Sequence, residues 1–319
     1  MTSIDVVLSD APTDAPRRSD RRGLLVGTGV LVLALVGVAV ASSTPTDSAA
    51  ATVLADAAAT VSVSAADDAA VLTIVDAAGA PTSVEVTSTG VRRADDLDAP
   101  LAVGALGDML TAAAALRLVD DGRLDVEAPV ARYLPDRAPP GVTVRHLLQH
   151  TSGLPELSSE PGTVVRYSVE NEALLREVIA AAAGQGFDDV LSAEVLGPAR
   201  LQATSLAPGD ATRAGVLSSP LDLARLLRAL HDGTLLSPPT RAAMTDRLLD
   251  VTSGGEVQMG LGLLRFAGYG PLVGSFATVG GRYLLVMHAP GTQRTGIWST
   301  SGQGDVTGTL RPVAEHLLD

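Results

Sequence analysis

The order of segment types along the chain constrains its fold more than any other feature. Residues 70–75 (AVLTIV) form an apolar run closed by the turn-prone Asp76-Ala77-Ala78-Gly79, and residues 83–88 alternate as a strand does. Together they predict a hairpin. A helical middle follows. Residues 106–118 are rich in Ala and Leu and stop at Asp120-Asp121-Gly122. Thr143 is placed to cap a short helix that runs to His150, and 170–183 ends at Gly184 and Gly186. Residues 221–230 and 239–249 add two more helices. Beyond them 259–266, 272–279, 282–288 and 295–299 read as strands, and 309–318 as a last helix. Strands at both chain ends around a helical centre predict an α+β domain. Its antiparallel sheet is built from the two ends and flanked by helices, beside a helical lobe.

In front of this pattern Arg17, Arg18, Arg21 and Arg22 precede an uncharged run over 23–41. Nineteen helical residues at about 1.5 Å each reach roughly 28 Å, close to the bilayer's hydrocarbon thickness. Basic residues ahead of the span keep that side cytoplasmic, so the remainder is expected outside. Four regions are expected. Residues 1–22 are a basic cytoplasmic stretch, and 23–41 a transmembrane signal-anchor or signal peptide. Residues 42–66 are an Ala/Ser/Thr/Asp-rich tether with helical tendency near 53–60, and 67–319 the domain. Ala39-Val40-Ala41 is a small-x-small cleavage pattern, and Arg21-Arg22 weakly resembles a twin-arginine signal. The length of the run favours an uncleaved anchor.

Composition removes several kinds of chemistry. Aromatic residues are 3% and the net charge is −13. Nucleic acid is not expected as a partner, since it is bound by clustered basic residues and stacking rings. The chain has no Cys, which excludes disulfides, Cys-ligated metals, thiol nucleophiles and a lipoprotein anchor. Lys and Arg together number 23, and all of them are Arg. The chain therefore has no lysine.

The most specific passage is Val142-Thr143-Val144-Arg145-His146-Leu147-Leu148-Gln149-His150-Thr151-Ser152-Gly153-Leu154. It resembles the "TVRHLLTHTSGL" signature of the class C β-lactamase and D-alanyl-D-alanine carboxypeptidase family, differing mainly at Gln149. Other landmarks follow in family order. They are Leu118-Val119-Asp120-Asp121-Gly122-Arg123-Leu124-Asp125, Pro161-Gly162-Thr163 before Tyr167-Ser168, Ala214-Gly215-Val216-Leu217 with Asp222-Leu223-Ala224-Arg225, and Gly260-Leu261-Gly262. The resemblance implies a β-lactamase/transpeptidase-like fold in an exported bacterial protein. Its domain would stand outside a membrane on a single span, or be secreted if cleavage follows Ala41.

The chemistry of that family uses a Ser at a helix start with a Lys one turn later, a Tyr-x-Asn wall, and a polar triplet on an edge strand. Register from Gly104 and Thr111 puts the nucleophile position at Ala105 and the lysine position at Asp108. The Tyr-x-Asn position reads Tyr167-Ser168-Val169, and the triplet falls on Pro271-Leu272-Val273 before Gly274. A lysine-free chain has no Ser-x-x-Lys in any register. Arg does not replace it, because a guanidinium keeps its proton and so cannot serve as a base.

The remaining polar residues divide by spacing and context. His146 and His150 have metal-ligand spacing, but no Glu follows His146, so the HExxH pattern is absent. The resemblance makes both structural. Ser152 lies in no G-x-S-x-G elbow and reads as a turn-bonding serine. Trp298 reads as core. A residual pocket is expected around Asp108, Tyr167 and Gly274, with backbone N–H groups at Ala105 and near Gly274 as an oxyanion-type nook. No cofactor and no metal are expected. The leading expectation is a catalytically inactive pseudoenzyme that binds or scaffolds at the cell envelope, with a cell-wall peptide or envelope protein as partner. The alternatives are a hydrolase rewired around Asp108 and Tyr167, and a purely structural domain.

Overall fold

The hairpin read from the sequence starts the main sheet. In the computed structural model, which describes residues 48–61, 69–94, 96–156, 159–206, 215–301 and 307–319, α1 (Ser48–Ala58) comes first. It is followed by β1 (Ala69–Val75), β2 (Pro81–Thr87), β3 (Gly90–Arg93) and β4 (Leu101–Ala102). The helical middle holds α2 (Asp108–Asp120), α3 (Val144–Leu148), α4 (Val169–Ala183) and α5 (Phe187–Leu191). Then come β5 (Ser205–Leu206), β6 (Val216–Ser218), α6 (Pro220–Asp232) and α7 (Pro238–Ala243). The last part contains β7 (Leu249–Asp250), β8 (Gln258–Met259), β9 (Leu264–Arg265), β10 (Val273–Val279), β11 (Arg282–Ala289), β12 (Arg294–Ser301) and α8 (Thr307–Leu318).

The sheet runs β3-β2-β1-β12-β11-β10-β9-β8-β7, with antiparallel pairing throughout. The two chain ends meet where β1 pairs with β12, Leu72 lying opposite Trp298. This is the α+β arrangement expected. One face of the sheet is covered by α1 and α8, where Leu54, Leu72, Trp298 and Leu317 form an apolar layer. The other face supports the helical lobe of α2, α4 and α6. Trp298 is 1% exposed, and its Nε1 donates to Thr309 Oγ1 at 2.7 Å, so its one polar atom is satisfied inside the core.

Three local expectations change. The stretch read as a tether contains α1, whose Ala50, Leu54 and Ala57 lie on one stripe and are at most 1% exposed. The domain therefore begins at this helix and not at 67; a run of alanines looks like a linker in composition but packs closely when its spacing is helical. The strand expected over 259–266 is two short strands, because Gly260-Leu261-Gly262 turns between them. A Cβ on Gly262 (φ +70°) would stand 2.0 Å from Ala112 Cβ, so only glycine lets this turn lie against α2. Finally, α7 stops at Ala243. The basic stretch and apolar run over 1–41 lie outside the described residues. Among the described residues no helix is long and apolar enough to cross a membrane.

Helix α2 is buried on every side, Met109 to Leu116 each at 1% or less. Its run of alanines makes that possible, since small side chains let neighbouring segments approach its axis closely. Whatever stands at its N-terminus is consequently held rigidly.

Candidate functional site

A 3₁₀ turn, Gly104–Gly107, leads directly into α2. Ala105 sits on that turn and Asp108 opens the helix. The acidic side chain suits this place, since the exposed N–H groups of a helix start favour negative charge. Ala105 brings no nucleophile. Tyr167 immediately precedes Ser168, the N-cap of α4, whose Oγ accepts from Glu170 N at 3.1 Å. Val169 is the first residue of that helix and brings no polar atom.

The signature segment positions the site from behind. Thr143 caps α3 by accepting from His146 N, while its own N–H donates to His146 Nδ1 at 3.2 Å. This capping box uses a histidine where Glu or Gln is usual. Buried Arg145 pairs with Glu127 at 2.7 Å, and Gln149 donates to Arg247 O at 2.6 Å. Past the helix end, His150 takes a left-handed backbone (φ +51°). Its N–H reaches Leu147 O at 3.1 Å, and its carbonyl accepts from Arg166 N at 2.8 Å. A left-handed conformation in a non-glycine persists only where the surroundings fix it. Here it separates the two histidines: His146 belongs to the cap, whereas His150 turns toward Asp108. The metal-type spacing therefore does not bring them to one point, and among the described residues no cluster of metal-binding side chains forms.

His150 Nε2 lies 3.3 Å from Asp108 Oδ2, and its ring stacks at 4.8 Å on Tyr167. The polarity of this pair is set by a chain of hydrogen bonds. Ser152 Oγ accepts from Leu154 N at 3.0 Å and donates its hydroxyl to Asn171 Oδ1. The amide of Asn171 is thereby oriented with Nδ2 toward His150 Nδ1, at 3.3 Å, and Ser168 N approaches the same nitrogen at 3.4 Å. Two N–H groups facing Nδ1 make it the acceptor, which leaves Nε2, the nitrogen nearer Asp108, to carry a ring N–H. The Nδ1 lone pair is engaged, so His150 is not placed to act as a base.

A second carboxylate lies behind the first. Glu172, 5% exposed, accepts from Thr111 Oγ1 on α2 and from Arg176 Nε at 2.8 Å. Burial, and then the charge of Asp108, push its carboxyl up to about 7, against the lowering effect of Arg176 and the Thr111 hydroxyl. Asp108, His150, Tyr167, Asn171 and Glu172 thus form one polar floor between α2 and α4.

The third wall is not where the sequence register placed it. A Cβ on Gly104 would stand 3.2 Å from Val279 Cβ and 3.5 Å from Ala277 Cβ, so the C-terminal half of β10 faces the 3₁₀ turn. Pro271, Leu272 and Val273 lie at the other end of that strand, with Leu272 buried in the layer under α1 and α8. Gly274 is paired on both sides, opposite Leu264 and Met287. A Cβ there would collide with Val286 O at 1.9 Å. Its role is close backbone approach, and it does not belong to the pocket with Asp108 and Tyr167. The register slipped because the strand positions that face the turn, Ala277 and Val279, carry no charged or polar side chain.

Sequence reading missed His150, Asn171 and Glu172 as parts of the floor. One signal was present: Asn171, Glu172, Leu175, Val178 and Ile179 share one helical face and are buried together. A charged residue on an otherwise buried face is a sign of a partnered group.

A profile of the β-lactamase family matches residues 96–309, about two thirds of the chain. The chain belongs to the β-lactamase family, and its fold is that of the penicillin-binding-protein type of serine hydrolase. A D-stereospecific amidohydrolase from Streptomyces sp. superposes with a TM-score of 0.66 at 21% identity, covering 86% of this chain and 99% of that one. D-amino acid amidase from Ochrobactrum anthropi SV3 gives 0.66 at 20%, covering 84% and 99%. The octameric penicillin-binding protein homologue from Pyrococcus abyssi gives 0.61 at 18%, covering 74% and 70%. Esterase EstB of Burkholderia gladioli is 50% identical over 52 residues, which span 14% of this chain and only 13% of the esterase.

Proposed function

We propose that this protein is a non-catalytic member of the family, held outside a bacterial membrane by the run over 23–41, which uses the floor between α2 and α4 as a binding or scaffolding site at the cell envelope. The observation that carries this reading is the absence of lysine from the whole chain, together with Ala at position 105. Without the nucleophile and its proton acceptor, acyl transfer by the family's route loses its first step. The capping, clasping and packing residues of the scaffold are meanwhile in place, which supports a retained use of the fold. Peptides of the cell wall or an envelope protein are the partners this reading favours.

The test is incubation of the full chain with a labelled penicillin, followed by intact-mass measurement. No adduct is expected. Stoichiometric acylation that survives denaturation would overturn the reading.

The cluster of Asp108, His150 and Tyr167 favours one alternative, a hydrolase in which Asp108 itself activates water. Since His150 has its lone pair engaged, Asp108 is the base available. That reading requires turnover of esters, amides or D-amino-acid peptides that drops at least about 100-fold in Asp108→Asn. A broad substrate screen without Asp108-dependent turnover eliminates it.

A further inference from the structure

A second group of titratable side chains lies away from the floor, between α6 and the sheet. His231 stands in the last turn of α6 and His288 near the end of β11. Their rings are tilted at 36° with centroids 5.3 Å apart. His288 is fully buried, on the side of β11 where Leu284 and Val286 meet the helical lobe. Its Nδ1 pairs with Thr295 Oγ1 on β12 at 2.9 Å, and its Nε2 is sealed from solvent with no hydrogen-bond partner among the described residues. His231 is partly exposed. Its Nδ1 lies 2.7 Å from Leu227 O. A carbonyl only accepts, so Nδ1 carries the hydrogen and Nε2 the lone pair. A proton reaching His231 from solvent lands on Nε2 and puts a positive charge beside the buried ring.

The charged groups around the pair are mostly positive. Arg228, one turn earlier on α6, donates to the carbonyls of Asp76 and Ala77 in the β1–β2 turn. Arg241 on α7 donates to His231 O at 2.8 Å. Asp232 is the carboxylate beside His231, and β12 contributes the backbone carbonyl of Arg294 beside His288. Burial, then His231 and Arg228, push the His288 imidazole down to about 3, against the Arg294 carbonyl. Burial also lowers His231; the Leu227 carbonyl and Asp232 oppose this and Arg241 adds to it. The chain past α6 is fastened just beyond the pair. Leu235 N closes on Ala229 O at 3.0 Å, Arg117 donates to Leu235 O at 3.0 Å, and Ser237 N donates to Asp120 Oδ2 at 2.8 Å. The loop over 233–237 thus joins the end of α6 to the end of α2.

We propose that His231 and His288 form a proton-operated latch, which holds the last turn of α6 against β11 while both rings are neutral and releases that turn, with the loop over 233–237, when His231 gains a proton. A charged imidazole is better solvated in water than against a buried ring, and His231 is the member that can swing outward. Both rings bind protons less readily in the fold than in the unfolded chain. The latch therefore has its full strength above 6.5 and weakens as pH falls from there toward 3. Two nearby carboxyl groups do not imitate this response. The proton on Glu172 strengthens the fold as pH falls. Burial raises the Asp120 carboxyl, but its bonds from Ser237 and Thr240 outweigh that and hold it below 3.8, so it keeps the loop's far end fastened until the medium is more acid. The latch stands independently of what the floor binds.

Hydrogen exchange of the full chain, followed by NMR and corrected for the intrinsic rate at each pH, is read at the amides of Leu235 and of Leu116, which is buried in the middle of α2. Fluorescence of Trp298, on the opposite face of the sheet, reports on the whole fold. Between about pH 6.5 and 4.5 the Leu235 amide is expected to lose protection by up to about ten-fold per pH unit for the proton taken up. Leu116 and Trp298 stay unchanged over that range. His231→Gln, which keeps a hydrogen-bonding side chain without the titration, holds Leu235 protected throughout. His231→Arg, charged at every pH used, shows low protection of Leu235 already at neutral pH and no further change in acid. Leu235 protection that is independent of pH in the unaltered chain overturns the proposal. So does a loss that survives His231→Gln, or one that sets in only together with changes at Leu116 and Trp298.

Discussion

Two aspartates near helix starts in this molecule are treated in opposite ways. Asp222, near the start of α6, is fully buried and fully partnered. Its Oδ2 accepts from Ala203 N and Thr204 Oγ1, each at 2.8 Å, and its Oδ1 from Arg225 at 2.7 Å. The loop before β5 is thereby tied to α6. Asp108, at the start of α2, has the His150 imidazole at 3.3 Å, a second carboxylate behind it, and an oxygen without an aligned donor. A charge with all its donors supplied by the fold serves the fold. A charge left wanting donors costs stability.

The largest expected effect comes from removing the first of these. Asp222→Ala leaves a backbone N–H, a hydroxyl and the Arg225 guanidinium without their acceptor, and should cost about 3–5 kcal/mol. Asp108→Ala relieves repulsion with Glu172 and deletes an under-satisfied group, so its change should stay within about 1 kcal/mol of zero. Urea denaturation of both variants checks the contrast. Equal losses at the two positions would show that Asp108 is part of the scaffold after all.

A pH series sharpens the same contrast at intermediate size. Burial and Asp108 raise the Glu172 carboxyl from 4.5 in the unfolded chain to about 7 in the folded one. Below 4.5 both states hold the proton and the fold has its full advantage; as pH rises toward 7 the unfolded state ionises first, and the advantage is lost. Stability should therefore fall by about 1–3 kcal/mol between pH 4.5 and about 7 through this group. Glu172→Gln flattens that part of the profile. In Asp108→Asn the slope shifts to lower pH, since one cause of the raised value is gone. A slope that survives Glu172→Gln assigns the effect to another group.

How much of this was readable in the sequence depends on how local each feature is. Caps are local, and Thr143 and Gly184 stand close to where spacing put them. The order of strands and helices, and hence the α+β class, follows from periodicity within each segment. The signature at 142–154 located the clasp but not its consequence, because the left-handed turn at His150 that aims the ring at Asp108 depends on contacts with Leu147 and Arg166. The floor itself joins α2 to α4, which are far apart in the chain, and periodicity says nothing of which faces meet. The third wall was misplaced along β10 for a related reason: Ala277 and Val279 face the 3₁₀ turn, and neither carries a chemical mark. Ala50, Ala57 and Ala58 hid a packed helix inside what read as a tether.

The smallest expected effect is the failure of a repair. Ala105→Ser with Asp108→Lys restores a serine and a lysine one helical turn apart on the same face. Yet the introduced lysine would stand where Asp108 now interacts with Glu172, and an ammonium facing a buried carboxylate stays protonated rather than becoming a base. The strand opposite presents Ala277 and Val279 to the 3₁₀ turn, so nothing polar orients a substrate's carboxylate from that side. Penicillin labelling of the double variant, read by intact mass, should remain within about ten-fold of the unmodified protein. Adding Glu172→Gln removes the charge that holds the lysine protonated, and should raise labelling above that of the double variant. Rapid acylation of the double variant alone would mean that positions 105 and 108 were all that separated this floor from a working serine hydrolase, and that Glu172 has no hold on what stands at the start of α2.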